Sequence, residues 1–188
     1  MMKLILFLSL FAANNIAWPD ALYPGLQMEI KREGSIYFFT ASFDTTLTKC
    51  AAYRFLTDYE ATKDFPGVVE SVVHRQSAHK VQVDRTVDEH ILLFDVRLHS
   101  VMEYTEKPFD RLEFTQLTGD LKSFQGSWNI IPTQQGSTLK FAGFLEPDTI
   151  FPLFIIDHFI KHGLIDNLNA IALRAKKRKG MPPGICGH

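Results

Sequence analysis

Two histidines have a spacing that could bind a metal ion. His158 and His162 lie four residues apart in a segment with helical periodicity, and Asp166 follows one turn later. The residue after His158 is Phe159 rather than the glutamate of a zinc-protease helix, and both histidines lie opposite the apolar stripe of their segment. We therefore interpret the pair as part of a solvated helix face, and we predict neither a metal nor another cofactor.

A second group of residues could supply acid–base chemistry. Asp95, Arg97 and His99 alternate along one predicted strand and therefore share a face. The opposite face is apolar and carries Phe94, Val96 and Leu98. Because the apolar face is the better core, we predict that the three polar residues point outward. The alternative is an inward polar face, which would create a buried charged group suited to a cyclase or a dehydratase.

The chain contains two cysteines, Cys50 and Cys186. An oxidising compartment would permit a disulfide between them, but the geometry that a disulfide requires cannot be read from sequence. Neither cysteine has the local signature of an activated nucleophile. The sequence also lacks a G-x-S-x-G motif, a phosphate-binding loop and a cysteine pair with zinc spacing. We therefore assign no catalytic residue.

The first seventeen residues have the features of a secretory signal peptide. Lys3 supplies a positive charge, residues 4–13 form an apolar run, and Ala17 is a small residue before a plausible cleavage site. The apolar run is too short to cross a bilayer, which takes about 20 residues. Cleavage would leave 171 residues (188 − 17), which suits one domain. We expect an exported protein, either periplasmic or secreted.

The composition excludes one class of partner. The formal net charge of the chain is −1, so the sequence lacks the large basic surface that nucleic-acid binding requires.

The rest of the sequence predicts one α+β domain. Residues 18–34 contain two prolines and two glycines and predict a loosely packed arm. An aromatic strand at 35–43 follows, and Asp44, Thr45 and Thr46 are N-cap candidates for the first of two short helices. Alternating patterns then predict six strands at 68–75, 80–87, 91–104, 111–117, 124–131 and 138–145, with a break at residues 88–90. We expect an antiparallel meander with the strand at 35–43 at its edge.

A single long helix is predicted from Leu153 to about Lys179. Its apolar face consists of Leu153, Ile156, Ile160, Gly163, Leu164, Leu168 and Ile171. One helix cannot cover both faces of a seven-stranded sheet, but a twisted sheet can curve around it. We therefore predict a curved antiparallel sheet of about seven strands, in the order β-α-α-β6-α, wrapped around the C-terminal helix. The space left at one end would form an apolar ligand site.

The predicted pocket lining consists of apolar residues that share the inward faces of these elements. They are Phe65, Leu112, Phe114, Phe124, Trp128, Ile130, Leu139, Phe141, Ile156, Ile160, Leu164 and Leu168. For each of them alone, packing in a solid core is the competing interpretation, and only the set outlines a cavity. The indole N–H of Trp128 could also bind the polar end of a ligand.

A basic cluster ends the long helix and consists of Arg174, Lys176, Lys177, Arg178 and Lys179. Positive charge at this position complements the helix dipole. The same cluster could make transient contact with an anionic membrane surface.

Two stretches of the chain resemble a known superfamily. Residues 55–60, running on to 64–71, resemble its passage from a first helix through a short second helix into a strand. Residues 117–128 and 136–141 resemble its turn and paired late strands. The sequence is thus similar to the START-like, helix-grip (SRPBCC) superfamily, and within it to the polyketide cyclase/dehydrase and lipid-transport group, including coenzyme Q-binding START-like proteins.

The resemblance covers about residues 35–178 and rests on structural motifs, so it implies the helix-grip fold more specifically than any activity. It implies a START-like domain at 35–179, between the arm and a tail at 180–188. It also implies binding or transport of an apolar ligand, such as a lipid, a quinone or a polyketide-like molecule, inside the fold. A cyclase or dehydratase acting on a polyketide-like substrate and a ligand-free interaction module are the alternatives, and whether the chain is an enzyme stays open.

Overall fold

A computed structural model of the chain describes residues 23–64, 67–91, 94–148 and 153–178. The strands in these ranges are β1 Gln27–Glu33, β2 Ile36–Thr45, β3 Val68–Arg75, β4 Lys80–Ile91, β5 Phe94–Lys107, β6 Arg111–Gly119, β7 Leu121–Thr133 and β8 Gly136–Pro147. The helices are α1 Lys49–Leu56, a 3₁₀ helix Tyr59–Asp64, and α2 Leu153–Lys177. The predicted signal peptide, the tail at 180–188 and the pocket candidate Phe65 lie outside the described residues.

The described strands form one antiparallel sheet in the order β1-β2-β8-β7-β6-β5-β4-β3. The meander from β3 to β8 returns the chain to β2, and the curved sheet packs on the C-terminal helix α2. The predicted helix-grip fold is therefore confirmed, with eight strands within the described ranges instead of about seven.

The additional strand, β1, lies where we predicted a loose arm, so that prediction is wrong for residues 27–33. Met28 and Ile30 alternate toward the core and lie opposite Ala41 and Phe39 of β2. Because β1 occupies the edge of the sheet, β2 is an interior strand and not the edge strand that we expected.

The predicted break at residues 88–90 is also wrong, because β4 continues to Ile91. The polar residue Asp88 lies on the outer face of the sheet. Its two carboxylate oxygens accept hydrogen bonds of 2.7 and 2.8 Å from Arg97 on β5. A polar stretch that resembled a turn is thus a solvated strand face.

Helix α1 begins one turn later than its predicted caps. The N-cap is Thr48, whose hydroxyl accepts a hydrogen bond from the amide of Ala51, rather than a residue at 44–46. Cys50, in the first turn of α1, is disulfide-bonded. The second cysteine of the chain, Cys186, lies outside the described residues.

Aromatic side chains fill the core between β2, β7 and β8. Phe39, Phe43 and Leu139 are almost completely buried there, and the rings of Trp128 and Phe141 stack with centroids 4.6 Å apart.

Helix α2 is fixed at both ends of its described length. Near its start, Asp157 accepts a hydrogen bond of 2.6 Å from the Tyr37 hydroxyl and lies 3.0 Å from Nε of Arg32. Burial, reinforced by this hydrogen bond, raises the pKa of Tyr37 to about 12. Toward its end, Asn169 accepts a hydrogen bond of 2.7 Å from the amide of Tyr23. No helix in the described part of the chain combines the length and apolarity needed to cross a bilayer.

Candidate functional site

The two halves of α2 pack differently against the sheet. In the C-terminal half, Leu168, Ala172 and Ala175 are at most 2% exposed. In the N-terminal half, Ile156 is 6% exposed, but Ile160 and Leu164, the next residues on the same face, are only partly buried. A Cβ atom added at Gly163 would meet no described atom within 4 Å. An open space therefore adjoins the N-terminal half of the helix.

The burial of the β4 side chains on the concave face also differs between the two ends of the strand. Val81 and Val83 are completely buried, whereas Arg85 and Val87, the next residues on the same face, keep accessible surface. Arg85 pairs with Ser100 on β5, which is also only partly buried. The accessible part of the face is thus the half that begins at Arg85.

The strand register shows that the two open regions lie at the same end of the fold. Ser100 is opposite Gly119 at the end of β6, and β7 begins two residues later at Leu121. Leu121 is in turn opposite Pro147, six residues before α2 begins. The accessible half of the concave face therefore lies at the end of the sheet that leads into the loosely packed half of α2.

Polar side chains occupy this open half. Ser71, Arg85 and Ser100 lie in register across β3, β4 and β5. Ser71 Oγ and Arg85 Nε are buried and have no hydrogen-bond partner among the described atoms. On β6, the same holds for Gln116 Oε1, although its amide nitrogen donates to the Leu121 carbonyl at 2.7 Å. Buried polar atoms are almost always paired, so these atoms mark a place where a ligand or water could bind.

Arg85 is the charged group of this polar set. Its Nη2 donates a hydrogen bond of 2.7 Å to the hydroxyl of Thr62 in the 3₁₀ helix. Within the described ranges, no carboxylate forms an ion pair with it. Arg85 therefore keeps most of its hydrogen-bonding capacity and its full charge on the inner face of the sheet.

The environment of Tyr104 also indicates an internal space. Tyr104 lies on the same face of the sheet as Arg85, on β5 opposite Val81. Burial strongly raises the pKa of its phenol, and the nearby positive charge of Arg85 lowers it in part. The same side chain keeps some accessible surface. The two observations agree if this accessible surface faces an enclosed space inside the fold rather than the outside of the sheet.

The closed half of the concave face contains a different charged group. Glu106 is 6% exposed and accepts hydrogen bonds from the hydroxyls of Tyr53 at 2.6 Å and Tyr59 at 3.0 Å, with Arg75 at 3.4 Å. Burial and then the interactions with Glu106 raise the pKa of both tyrosines. Glu106 thus fastens α1 and the 3₁₀ helix to β5, and its own acceptor capacity is used inside the protein.

Comparison with known sequences now identifies the family. Residues 47–166 match the family described as polyketide cyclase / dehydrase and lipid transport. The chain belongs to this family. No curated protein matches the sequence at a significant level.

Solved structures similar to this member of the family share its fold. A STAR-related lipid transfer protein from Xanthomonas axonopodis has a TM-score of 0.67 at 15% identity, covering 81% of this chain and 94% of that chain. An aromatase/cyclase from Streptomyces sp. R1128 has a TM-score of 0.58 at 11% identity, covering 80% and 93%. A START superfamily protein from Mycobacterium smegmatis has a TM-score of 0.56 at 10% identity, covering 80% and 97%. At these identities the likeness shows the fold alone.

The predicted lining residues that the structure describes, all except Phe65, lie in one apolar cluster. The most buried of them, at most 7% exposed, are Leu112, Phe114, Trp128, Ile130, Leu139, Phe141, Ile156 and Leu168. Phe124, Ile160 and Leu164 are packed against this cluster but keep accessible surface. Direct contact with a ligand stays a prediction, and these three are the candidates with surface left to make it.

Alternation predicted the strand at 80–87, but the arginine on its apolar face was not recognised from sequence, and the polar set was missed for that reason. In β4, Val81, Val83, Arg85 and Val87 occupy alternating positions, so an arginine on the apolar face could have been recognised from sequence. In β5, Arg97 and the ring of His99 lie on the exposed outer face, and His99 Nε2 is 2.8 Å from Asp84. The side chain of Asp95 is not among those described.

The remaining candidates lie away from the concave face. The rings of His158 and His162 are exposed, with centroids 4.2 Å apart, and the described residues contain no group of three or more potential metal ligands. Arg174 donates to the carbonyl of Ala61, and Arg178 forms an ion pair with Asp58 at 3.0 Å.

The lysines of the basic cluster differ from its arginines. Lys176 lies over the ring of Tyr23, and Lys177 is exposed. Lys179 lies outside the described residues. Contact of the cluster with a membrane surface therefore stays a prediction, carried mainly by Lys176 and Lys177.

A separate cleft of about 510 Å³ opens at the opposite end of the fold. It is lined by Tyr23, Asp44, Thr45, Thr46, Thr133, Gln134, Gln135 and Lys176. Tyr23 and Lys176 adjoin parts of the chain outside the described residues, so we assign no function to this cleft.

Proposed function

We propose that this protein binds and carries an apolar or amphipathic small molecule, of the lipid, quinone or polyketide-like kind. The ligand lies between the N-terminal half of α2 and the accessible half of the concave face. The observation that carries the proposal is the uneven packing of α2, which is tight at Leu168, Ala172 and Ala175 and open beside Ile160 and Gly163. A close-packed interior leaves few voids, so this open stretch of the helix is the place where a ligand can lie.

The polar groups of the site favour binding over catalysis. Arg85 is a permanent cation, and Tyr104 is a phenol that is neutral at physiological pH and whose pKa burial raises further. Neither group is a general base, which a cyclase or dehydratase would need within reach of its substrate. Glu106 is committed to its two tyrosine donors, and His99 lies on the outer face.

We further propose that the protein is exported, to the periplasm or outside the cell. The signal-like residues 1–17 support this proposal, and the disulfide bond of Cys50 fits an oxidising compartment.

The test of the carrier function is to identify what the protein binds. We would express the full chain, purify it without detergent, extract it with organic solvent and identify the released molecules by mass spectrometry. The variant Gly163→Phe fills the space beside α2 and is expected to remove most of the co-purified ligand. Lys161→Phe places the same side chain on the exposed face of the same helix and is expected to leave the ligand in place.

Both variants would be checked for folding by circular dichroism before extraction. A single apolar species near one molecule per protein, lost only in Gly163→Phe, supports the proposal. An extract indistinguishable from that of an unrelated protein, together with no binding of added lipids, contradicts it and favours the ligand-free interaction module.

A further inference from the structure

The polar set on the concave face limits the kind of molecule that the site can accept. Arg85 has apolar residues, Val83 and Val87, on either side of it along the same face of β4. An arginine placed among valines costs free energy unless its charge is paired. Among the described residues, the hydrogen-bond partner of Arg85 is the Thr62 hydroxyl, a neutral acceptor. An anion is the kind of partner that would complete the pairing of this charge.

The groups around Arg85 are mostly donors or can act as donors. Ser71 Oγ is buried without a partner and lies in register with Arg85, and Ser100 lies on the other side in the same rung. The Tyr104 phenol lies further along the same face, opposite Val81, and is a further donor, whereas the unpartnered Gln116 Oε1 on β6 is an acceptor. A cation surrounded by hydroxyls matches an oxyanion, because each group can donate to one of its oxygens.

The apolar remainder of a ligand has its own place. Ile160 and Leu164 of α2 and Phe124 of β7 keep accessible apolar surface in the same internal cluster. Polar and apolar surfaces thus face one space, which is the arrangement that an amphipathic molecule needs.

We propose that the ligand is an amphipath with an anionic oxygen head group, a carboxylate or a phosphate, which binds Arg85 inside the fold while its apolar chain lies against α2. This inference rests on the proposed carrier function and adds the ligand class to it. Arg85 is the residue that distinguishes an acidic from a neutral amphipath of equal chain length.

The experiment compares three probes with the same alkyl chain: lauric acid, dodecyl phosphate and dodecanol. Each is titrated calorimetrically into the delipidated protein at neutral pH, below the micelle concentration of the two acids and below the solubility limit of dodecanol. The wild-type protein is expected to bind at least one acidic probe at least about tenfold more tightly than dodecanol, because a charge-assisted hydrogen-bond pair contributes that much. The stronger of the two acids separates a carboxylate site from a phosphate site.

Two arginine variants test whether the preference for acidic probes depends on Arg85. In Arg85→Met, which keeps the length of the side chain but removes the charge, the ratio of acid to alcohol affinity is expected to fall to about one. In Arg97→Met, the same change on the exposed outer face of the neighbouring strand, the ratio is expected to match the wild type.

The outcomes separate the two proposals. If the wild-type protein binds all three probes equally, the carrier function stands and the anionic head group is wrong. If it binds none of them and no other apolar molecule, the carrier function fails and this inference fails with it. Should Arg85→Met not fold, the wild-type ratio measured at neutral pH and again below the pKa of the free fatty acid still decides, because protonation of a bound carboxylate must remove the preference.

Discussion

Glu106 and Arg85 are charged residues on the same concave face, but they differ in how fully their charges are paired within the fold. Glu106 receives hydrogen bonds from Tyr53 and Tyr59 and lies 3.4 Å from Arg75. Arg85 has one neutral partner, Thr62, and a buried Nε that binds none of the described atoms. The first charge is satisfied inside the fold, whereas the second is left incomplete.

The difference indicates that one charge stabilises the fold and the other binds a ligand. A satisfied buried charge holds elements together, and its removal leaves its donors unpaired. An unsatisfied charge contributes little to folding and is kept, we infer, for a partner that arrives later. Glu106 should therefore matter for stability and Arg85 for binding.

Alkaline pH should produce the largest effect, through four tyrosines that include the two donors to Glu106. The pKa values of Tyr37, Tyr53, Tyr59 and Tyr104 are raised above the ordinary value of 10.0. The unfolded chain therefore loses these protons first, so stability is complete below about pH 10 and falls as the pH rises toward the folded values. Urea denaturation midpoints from about pH 8 to pH 12, with tyrosinate absorbance recorded in parallel, measure the loss.

The same titration distinguishes the two charges. Loss of the carboxylate in Glu106→Ala should lower the pKa of Tyr53 and Tyr59, whereas loss of the cation in Arg85→Met should raise that of Tyr104. Identical tyrosinate curves for the wild type and both variants would show that neither charge acts as described.

Removal of Glu106 should give the largest effect of a single substitution. Glu106→Ala leaves two tyrosine hydroxyls without their acceptor and is expected to lower the free energy of unfolding by about 3 kcal/mol. The control is Glu103→Ala, on the outer face of the same strand, where an ion pair with Lys80 at 2.8 Å contributes about 1 kcal/mol or less. Urea denaturation at neutral pH measures both, and equal losses would contradict the structural role of Glu106.

The order of elements could be predicted because alternation and helical spacing are local signals. The strand β1 was missed because Pro24, Gly25 and Gly34 lie around a short alternating stretch and suggested an irregular arm. The outward position of Arg97 followed from alternation, and the inward position of Arg85 could have followed from the same rule.

The roles of Glu106 and Arg85 could not be predicted from local sequence patterns. The partners of Glu106, Tyr53 and Tyr59, lie 53 and 47 residues away in the chain. The incomplete pairing of Arg85 depends on the register of β3 and β5 beside β4 and on the position of the 3₁₀ helix. Sequence shows which residues share a face of one strand, but not which strands and helices supply their neighbours.

Loss of the Arg85 charge should affect stability less than loss of Glu106. In ligand-free protein, Arg85→Met replaces an unpaired cation by an apolar side chain of similar length, so the free energy of unfolding is expected to stay within about 1 kcal/mol or to rise. Urea denaturation of delipidated protein measures this change. A loss as large as that of Glu106→Ala would mean that Arg85 is structural, and the contrast between the two charges would disappear.

The smallest effect is expected at Arg97, which is Arg85's counterpart on the outer face. Its ion pair with Asp88 is exposed, so Arg97→Met should leave the denaturation midpoint unchanged within error. The hydrogen bond from Arg97 holds the pKa of Asp88 below its usual value, and an NMR titration of the variant should show that pKa rising toward normal. A local change at Asp88 without a change in stability would show that this exposed ion pair does not hold the fold together. Because Arg97→Met also removes one positive charge, an unchanged preference for acidic probes in this variant would assign any loss of acid binding in Arg85→Met to the inner position of Arg85.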